Sequence, residues 1–104
     1  MAFAGYYEDA SDDTFGTTAP VDSFPEGASP FGALNMAGNV IEWTSSPRCS
    51  YLKPDECDKT VRIVRGGCWG ANSPKDVSTS YRLPQDPRRA YANFGIRCAR
   101  DAAR

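Results

Sequence analysis

Glycine and proline recur so often along this sequence that long helices cannot be its main building element. Nine glycines and eight prolines are distributed over 104 residues, and proline interrupts helices and sheet interiors because its nitrogen carries no hydrogen. Apolar residues still make up 40% of the chain, which allows a modest core in a protein of this size. We therefore predict a folded, loop-rich unit with short strands rather than a helical bundle.

Three segments have the composition of strands. Val40, Ile41 and Trp43 are apolar and follow a turn, residues 61–65 are rich in β-branched side chains, and residues 94–100 alternate apolar with polar side chains. The pair Gly66-Gly67 is expected to break or bulge the second of these strands. The third is predicted to be a half-buried final strand.

The segments between these strands lack a regular period and need other anchors. Phe24, Phe31 and Leu34 are expected to be buried and to pin the proline-rich loop to the body of the protein. Arg65, Arg82 and Arg97 stand beside the strand-like segments, and we expect their guanidinium groups to bond loop carbonyls that lack backbone partners.

Charge and residue types narrow the classes of function. The net charge is −1 with acids and bases interspersed, so we expect neither nucleic acid nor an anionic membrane as a partner. Apolar stretches are short, which predicts no membrane insertion, and the N-terminus shows no signal-peptide pattern. The chain contains no histidine, the commonest general base and transition-metal ligand.

Five blocks of the sequence together resemble one known family. They are residues 18–25, 29–44, 64–69, 81–82 and 94–100, and in that order they are similar to the C-terminal signature of formylglycine-generating enzymes, the sulfatase-modifying-factor family. The resemblance implies an α+β, C-type-lectin-like fold that is loop-rich, with short antiparallel strands and structural calcium. The family domain is more than twice as long, so residues 1–104 are expected to be its C-terminal part, a partial domain. The chain is then a truncated fragment, one piece of a split domain or a minimised relative.

The resemblance implies a calcium site in residues 35–42. The family motif assigns the ion to the side chain of Asn35, the carbonyls of Gly38 and Val40, and the carboxylate of Glu42. These are the hard oxygen ligands that calcium prefers, and glycine allows the chain to turn tightly around the ion. The alternative is that Asn35 and Glu42 only satisfy turn amides and a surface arginine.

A second family calcium site is matched only in part. Asp13 and the Phe15 carbonyl correspond to one pair of ligands, whereas the upstream asparagine of the family falls near Ala2. The nearby Asp9 or Asp12 is a candidate substitute.

The catalytic groups of the family are missing from the matching positions. Formylglycine-generating members bind copper(I) through two cysteines, which correspond here to Ala71 and Asp76, so no copper is expected. The iron oxygenases of ergothioneine synthesis use histidines, and this chain has none.

Four cysteines allow three pairings. We expect Cys49–Cys57 to close a short loop and Cys68–Cys98 to join two candidate adjacent strands. In the family, the cysteine that matches Cys98 often pairs with the N-terminal half of the domain. Alternatively, Cys68 is a reactive thiol beside a glycine-rich turn. Disulfides would favour an oxidising compartment, periplasmic or secreted.

The resemblance also predicts a ligand face between the second strand and the last one. Its candidate residues are Asn72, Tyr81, Arg88, Arg89, Tyr91 and Asn93. The leading hypothesis is a non-catalytic, calcium-stabilised binding or accessory domain, whose partner is the missing N-terminal half or another protein or peptide. The alternatives are a fragment of an oxidase that acts on a protein cysteine, and a retroelement-diversified ligand-displaying protein of the same fold.

Overall fold

A computed structural model of the chain describes residues 17–70 and 73–103 and shows a four-stranded mixed sheet. The strands are β1 (Ile41–Cys49), β2 (Cys57–Arg65), β3 (Leu83–Gln85) and β4 (Phe94–Gly95), in the spatial order β3-β2-β1-β4. Helical structure in the described residues is limited to two 3-10 turns, Pro25–Gly27 and Pro74–Val77. These residues contain no helix long and apolar enough to cross a membrane.

Strands β1 and β2 are the two long, central strands of the sheet. They pair antiparallel from Glu42 opposite Arg65 to Cys49 opposite Cys57, with register shifts on either side of Pro47. Proline cannot donate to a ladder and is tolerated at such irregularities. Strand β2 ends at Arg65, and Gly66 and Gly67 follow with positive φ angles of 96° and 67°. The predicted break at this glycine pair is therefore confirmed.

The last strand differs from its prediction in length and direction. Strand β4 covers only Phe94–Gly95 and pairs parallel with β1 at Ile41 and Glu42, whereas we expected a final strand over residues 94–100 and the family resemblance implied antiparallel strands. The other two pairings, β1 with β2 and β2 with β3, are antiparallel as predicted. The half-buried strand expected beyond Gly95 is not formed, and Ile96 is 75% exposed.

The core is small and centred on β2. Val64 is fully buried and Ile63 is 3% exposed. Because consecutive strand residues point to opposite faces, the sheet is covered on both sides here. Ile41 on β1 and Ala19 from the preceding segment complete the buried apolar residues of the described chain. Phe31 was expected to be a buried anchor but is 97% exposed, so that prediction is wrong.

The three arginines stabilise loops as predicted. Arg65 donates to the carbonyls of Thr79 and Tyr81 at 2.9 and 3.3 Å. Arg82 donates to the Cys49 carbonyl at 3.0 Å, and Arg97 donates to a loop carbonyl in the turn before β1. In a fold with little regular structure, such donors satisfy backbone oxygens that no ladder reaches.

Candidate functional site

The turn of residues 35–42 leads directly into β1 and has an unusual backbone. Asn35, Gly38 and Asn39 have φ angles of 56°, 80° and 66°, in the left-handed region that glycine and asparagine tolerate best. Three such residues within five positions fold the segment tightly. The two ends of the turn can therefore present their side chains to the same cavity.

Neighbouring segments hold the middle of this turn in place. The buried Asn39 side chain accepts from the Ala19 amide at 3.0 Å and donates to the Ala19 carbonyl at 3.2 Å. The Trp69 amide donates to the Asn39 carbonyl at 2.8 Å, and the Gly38 amide donates to the Gly66 carbonyl at 2.7 Å. The turn is consequently fixed before any ligand binds.

Glycine is required at one of these contacts. A Cβ at Gly66 would lie 3.0 Å from the Met36 carbonyl oxygen, and the φ angle there is positive. This position therefore permits the close approach between the end of β2 and the turn.

A cavity of about 360 Å³ opens beside the turn and contains three of the four predicted calcium ligands. Asn35, Val40 and Glu42 line it, and Gly38 is buried in the same turn. The Nδ2 atom of Asn35 donates to the Val21 carbonyl at 2.6 Å. Its Oδ1 atom is buried and has no hydrogen-bond partner, a costly state for an amide oxygen.

The carboxylate of Glu42 is held by an arginine from the end of the chain. Arg97 donates from Nε to Oε2 at 3.0 Å and from Nη2 to Oε1 at 2.7 Å. Donating these hydrogen bonds to the carboxylate raises the pKa of the Arg97 guanidinium above its ordinary value, and desolvation opposes the rise in part. A carboxylate has about four lone-pair sites. The two hydrogen bonds from Arg97 use about half of them, so the remaining lone pairs of Glu42 can coordinate a cation.

These residues fit a hard cation. Calcium takes 6–8 oxygen ligands from carboxylates, amide and backbone carbonyls, and water, and the turn offers an unpaired amide oxygen and a carboxylate on two residues that line one cavity. No group of three or more Cys, His, Asp or Glu that could hold a metal occurs in residues 17–70 and 73–103. Asp13 and Phe15, the candidates for a second calcium, lie outside the described residues.

The cysteines follow the prediction in one pair and not in the other. Cys49 and Cys57 form a disulfide across the paired ends of β1 and β2. Cys68 and Cys98 are free thiols, contrary to the predicted bridge. They follow β2 and β4, and β1 lies between those two strands, so the strands that we expected to be adjacent are not.

Cys68 lines a second cavity, of about 160 Å³. Asp76, Tyr81 and Asn93 line this cavity with it, and the Nδ2 atom of Asn93 lies 3.3 Å from the Cys68 sulfur. Asp76, which occupies one of the positions where a copper ligand is missing, belongs to the 3-10 turn Pro74–Val77. Ala71 and Asn72 lie in the gap of the described chain.

The predicted ligand-face residues that the structure describes have different surroundings. Tyr81 and Asn93 line the second cavity. Tyr91 packs on Phe94 with ring centroids 4.8 Å apart and remains 45% exposed. Arg88 and Arg89 are exposed outside the cavity, and Arg88 is paired with Asp86 at 2.8 Å.

Sequence reasoning missed Asn39 as the residue that holds the turn of residues 35–42 in place, although asparagine tolerates the left-handed backbone conformation found in turns.

Comparison with known proteins identifies the class to which this fold and turn belong. The family model of the sulfatase-modifying factor enzyme 1-like domain matches residues 1–102. The chain therefore belongs to the sulfatase-modifying-factor family, which includes the formylglycine-generating enzymes.

Individual relatives carry different names. The chain is 33% identical over 102 residues to the inactive C-alpha-formylglycine-generating enzyme 2 of Bos taurus, covering 92% of this chain and 31% of that protein. It is 36% identical over 97 residues to hercynine oxygenase of Mycolicibacterium smegmatis, covering 80% and 22%. It is 32% identical over 93 residues to the serine/threonine-protein kinase pkn1 of Chlamydia caviae, covering 80% and 15%. The chain thus spans less than a third of the length of each of these relatives.

Proposed function

We propose that this chain is a non-catalytic, calcium-stabilised binding or accessory domain, the C-terminal part of a C-type-lectin-like domain of the sulfatase-modifying-factor family. The observation that carries the calcium proposal is the buried, unpaired Oδ1 atom of Asn35, a residue that lines the same cavity as Glu42. A calcium ion bound by both residues would satisfy this oxygen. When bound, the ion would link Asn35 and Glu42 electrostatically and would supply no redox chemistry.

The residues at the copper positions support a role without catalysis. Ala71 and Asp76 stand where the copper-binding family members have cysteines, and neither side chain offers the soft sulfur that copper(I) prefers. A relative that matches 92% of the chain is named as inactive. The enzymatic alternative, a fragment of an oxidase acting on a protein cysteine, requires ligands from another polypeptide segment.

Exposed apolar side chains support a protein partner. Phe31 is 97% exposed, and Val21 and Ile96 are each 75% exposed, although large apolar side chains are usually covered in a stable assembly. The partner that fits the family is the N-terminal half of the same domain, supplied in the same polypeptide or in another. The Cys49–Cys57 disulfide is compatible with an oxidising compartment, and we propose a periplasmic or secreted location.

Metal analysis and calorimetric calcium titration of the full chain test the proposal. We expect calcium to bind and to raise the melting temperature relative to EGTA. Glu42→Gln should weaken calcium binding by roughly tenfold or more, because the site loses its formal charge. Glu26→Gln, which changes an exposed glutamate in another loop, is the matched control and should leave binding unchanged.

A copper(I) titration separates the proposal from the enzymatic alternative. Tight stoichiometric copper binding, together with oxygen consumption on a cysteine-containing peptide, would show an oxidase and refute the non-catalytic role. Failure of the wild-type chain to bind calcium would refute the calcium proposal separately.

A further inference from the structure

Arg97 contacts both ends of the candidate calcium turn. Its guanidinium group grips the two carboxylate oxygens of Glu42 at 3.0 and 2.7 Å. The same Nη2 atom also donates to the backbone carbonyl of Asn35 at 3.3 Å. Arg97 lies 55 positions after Glu42 and 62 positions after Asn35 in the sequence. It thus joins the first and last candidate ligand residues of the turn.

The geometry of this contact matters more than its charge. Arginine presents its donors in a planar fork that fixes the plane of a carboxylate, whereas lysine offers a compact point charge on a flexible stem. The Glu42 side chain is 20% exposed and that of Arg97 is 37% exposed. Without the fork, a glutamate side chain with this exposure would sample several rotamers and point its oxygens away from the cavity.

We propose that Arg97 is a positioning residue for calcium: it orients the Glu42 carboxylate and ties it to Asn35, so that their oxygens converge on one ion. This inference rests on the calcium proposal above. Residues that orient metal ligands without touching the metal change affinity by roughly 10–100-fold when they are replaced. Arg97 is the candidate for that role because it touches both ligand residues.

Competition between Arg97 and calcium for the Glu42 carboxylate would involve the same residues and must be distinguished from a positioning role. Arg97 carries a positive charge beside the cation site, and two cations repel one another. If repulsion dominated, Arg97 would occupy the carboxylate in place of calcium, and its removal would strengthen binding. Arg97→Lys retains the charge and loses the fork, whereas Arg97→Gln loses both.

The chain contains a matched control for these variants. Arg88 grips the carboxylate of Asp86 through the same kind of fork, with its Nε atom 3.0 and 3.2 Å from the two carboxylate oxygens and Nη2 2.8 Å from Oδ2. Neither residue lines the cavity beside the turn. Arg88→Lys therefore reports what the loss of an arginine fork does when no calcium ligand is involved.

The test is calorimetric titration of wild type, R97K, R97Q and R88K with calcium alone, at temperatures where each variant is folded by circular dichroism. We expect R97K to bind calcium roughly 10–100-fold more weakly than wild type and R88K to bind it unchanged. The rise in melting temperature caused by calcium should shrink in R97K and persist in R88K. A purely structural role would instead lower the melting temperature equally with calcium and with EGTA.

Two results would overturn the inference, and they are distinguishable. Equal or tighter calcium binding by R97K and R97Q, with normal binding by wild type, would refute the positioning role alone. Absence of calcium binding by the wild-type chain would refute both this inference and the calcium proposal.

Discussion

Replacing Asn39 should destabilise the protein more than replacing any ordinary loop residue. Asn39 is 7% exposed, and its side chain satisfies both the amide and the carbonyl of Ala19 at 3.0 and 3.2 Å. Asn39→Ala leaves both groups unpaired at a residue that is 8% exposed. Each unsatisfied buried group costs about 1–3 kcal/mol. Because water can reach Ala19 once the side chain is removed, we expect a loss near the lower limit, about 2–3 kcal/mol for the pair.

A second substitution separates these hydrogen bonds from the backbone conformation. Asn39 has a φ angle of 66°, where alanine adds about 1–2 kcal/mol of strain. Glycine avoids this strain but costs about 0.5–1 kcal/mol of additional chain entropy. Asn39→Gly and Asn39→Ala should therefore lose similar amounts of unfolding free energy, within about 1 kcal/mol of each other, because the Ala19 hydrogen bonds are lost in both.

Urea unfolding in EGTA, followed by tryptophan fluorescence, measures both variants against wild type. Trp43 and Trp69 are half-buried and report loss of the fold. If Asn39→Gly were as stable as wild type, the Ala19 bonds would contribute nothing and the reasoning would be refuted.

Three further predictions concern other parts of the molecule. Replacing both Cys49 and Cys57 by alanine should lower the free energy of unfolding by about 2–3 kcal/mol, because the bridge closes a short loop with a sequence separation of 8. Urea unfolding measures this free energy, and an unchanged value would contradict the prediction. Gly67→Ala should lower the melting temperature markedly, since its φ is +67° and a Cβ would lie 2.7 Å from a backbone oxygen; an unchanged melting temperature would oppose this. The hydrogen bonds from Arg88 lower the pKa of Asp86 to about 2 from 3.8, so their contribution to stability is present above about pH 4 and is lost as the pH falls towards 2. Arg88→Gln should return this pKa towards 3.8, as carboxyl NMR titration would show, and an unshifted value would count against the pairing.

Features with a local cause were predictable from the sequence. The strand-like residues 40–43 and 61–65 lie in β1 and β2 for the most part, because apolar and β-branched side chains favour a pleated, half-buried surface. The glycine pair after β2 ends the strand because each of these residues has a positive φ angle. The roles of the three arginines followed from the shortage of backbone partners in a loop-rich chain.

Features that depend on strand order were not predictable. The expectation of a half-buried strand over residues 94–100 rested on the alternation of Phe94, Ile96 and Cys98, and the antiparallel direction was implied only by the family resemblance. This pattern cannot reveal that residues 86–93 carry the chain across the sheet to the edge of β1. The same ignorance of strand order produced the wrong Cys68–Cys98 pair. Phe31 was misjudged because hydrophobicity alone does not say whether a covering segment lies above a residue.

The hydrogen bonds that hold the turn of residues 35–42 have a consequence for the order of folding. Asn35 bonds to Val21 across 14 positions, Asn39 to Ala19 across 20, and Arg97 to Asn35 across 62. Contacts at such separations require large loops to close first, which slows folding and delays the affected region. A growing chain therefore exposes the turn, with Glu42 unclamped, until residue 97 has been synthesised and has docked. We therefore expect Arg97 to clamp Glu42 only after β1 and β2 have paired, so that the high-affinity form of the candidate calcium site is completed late in folding.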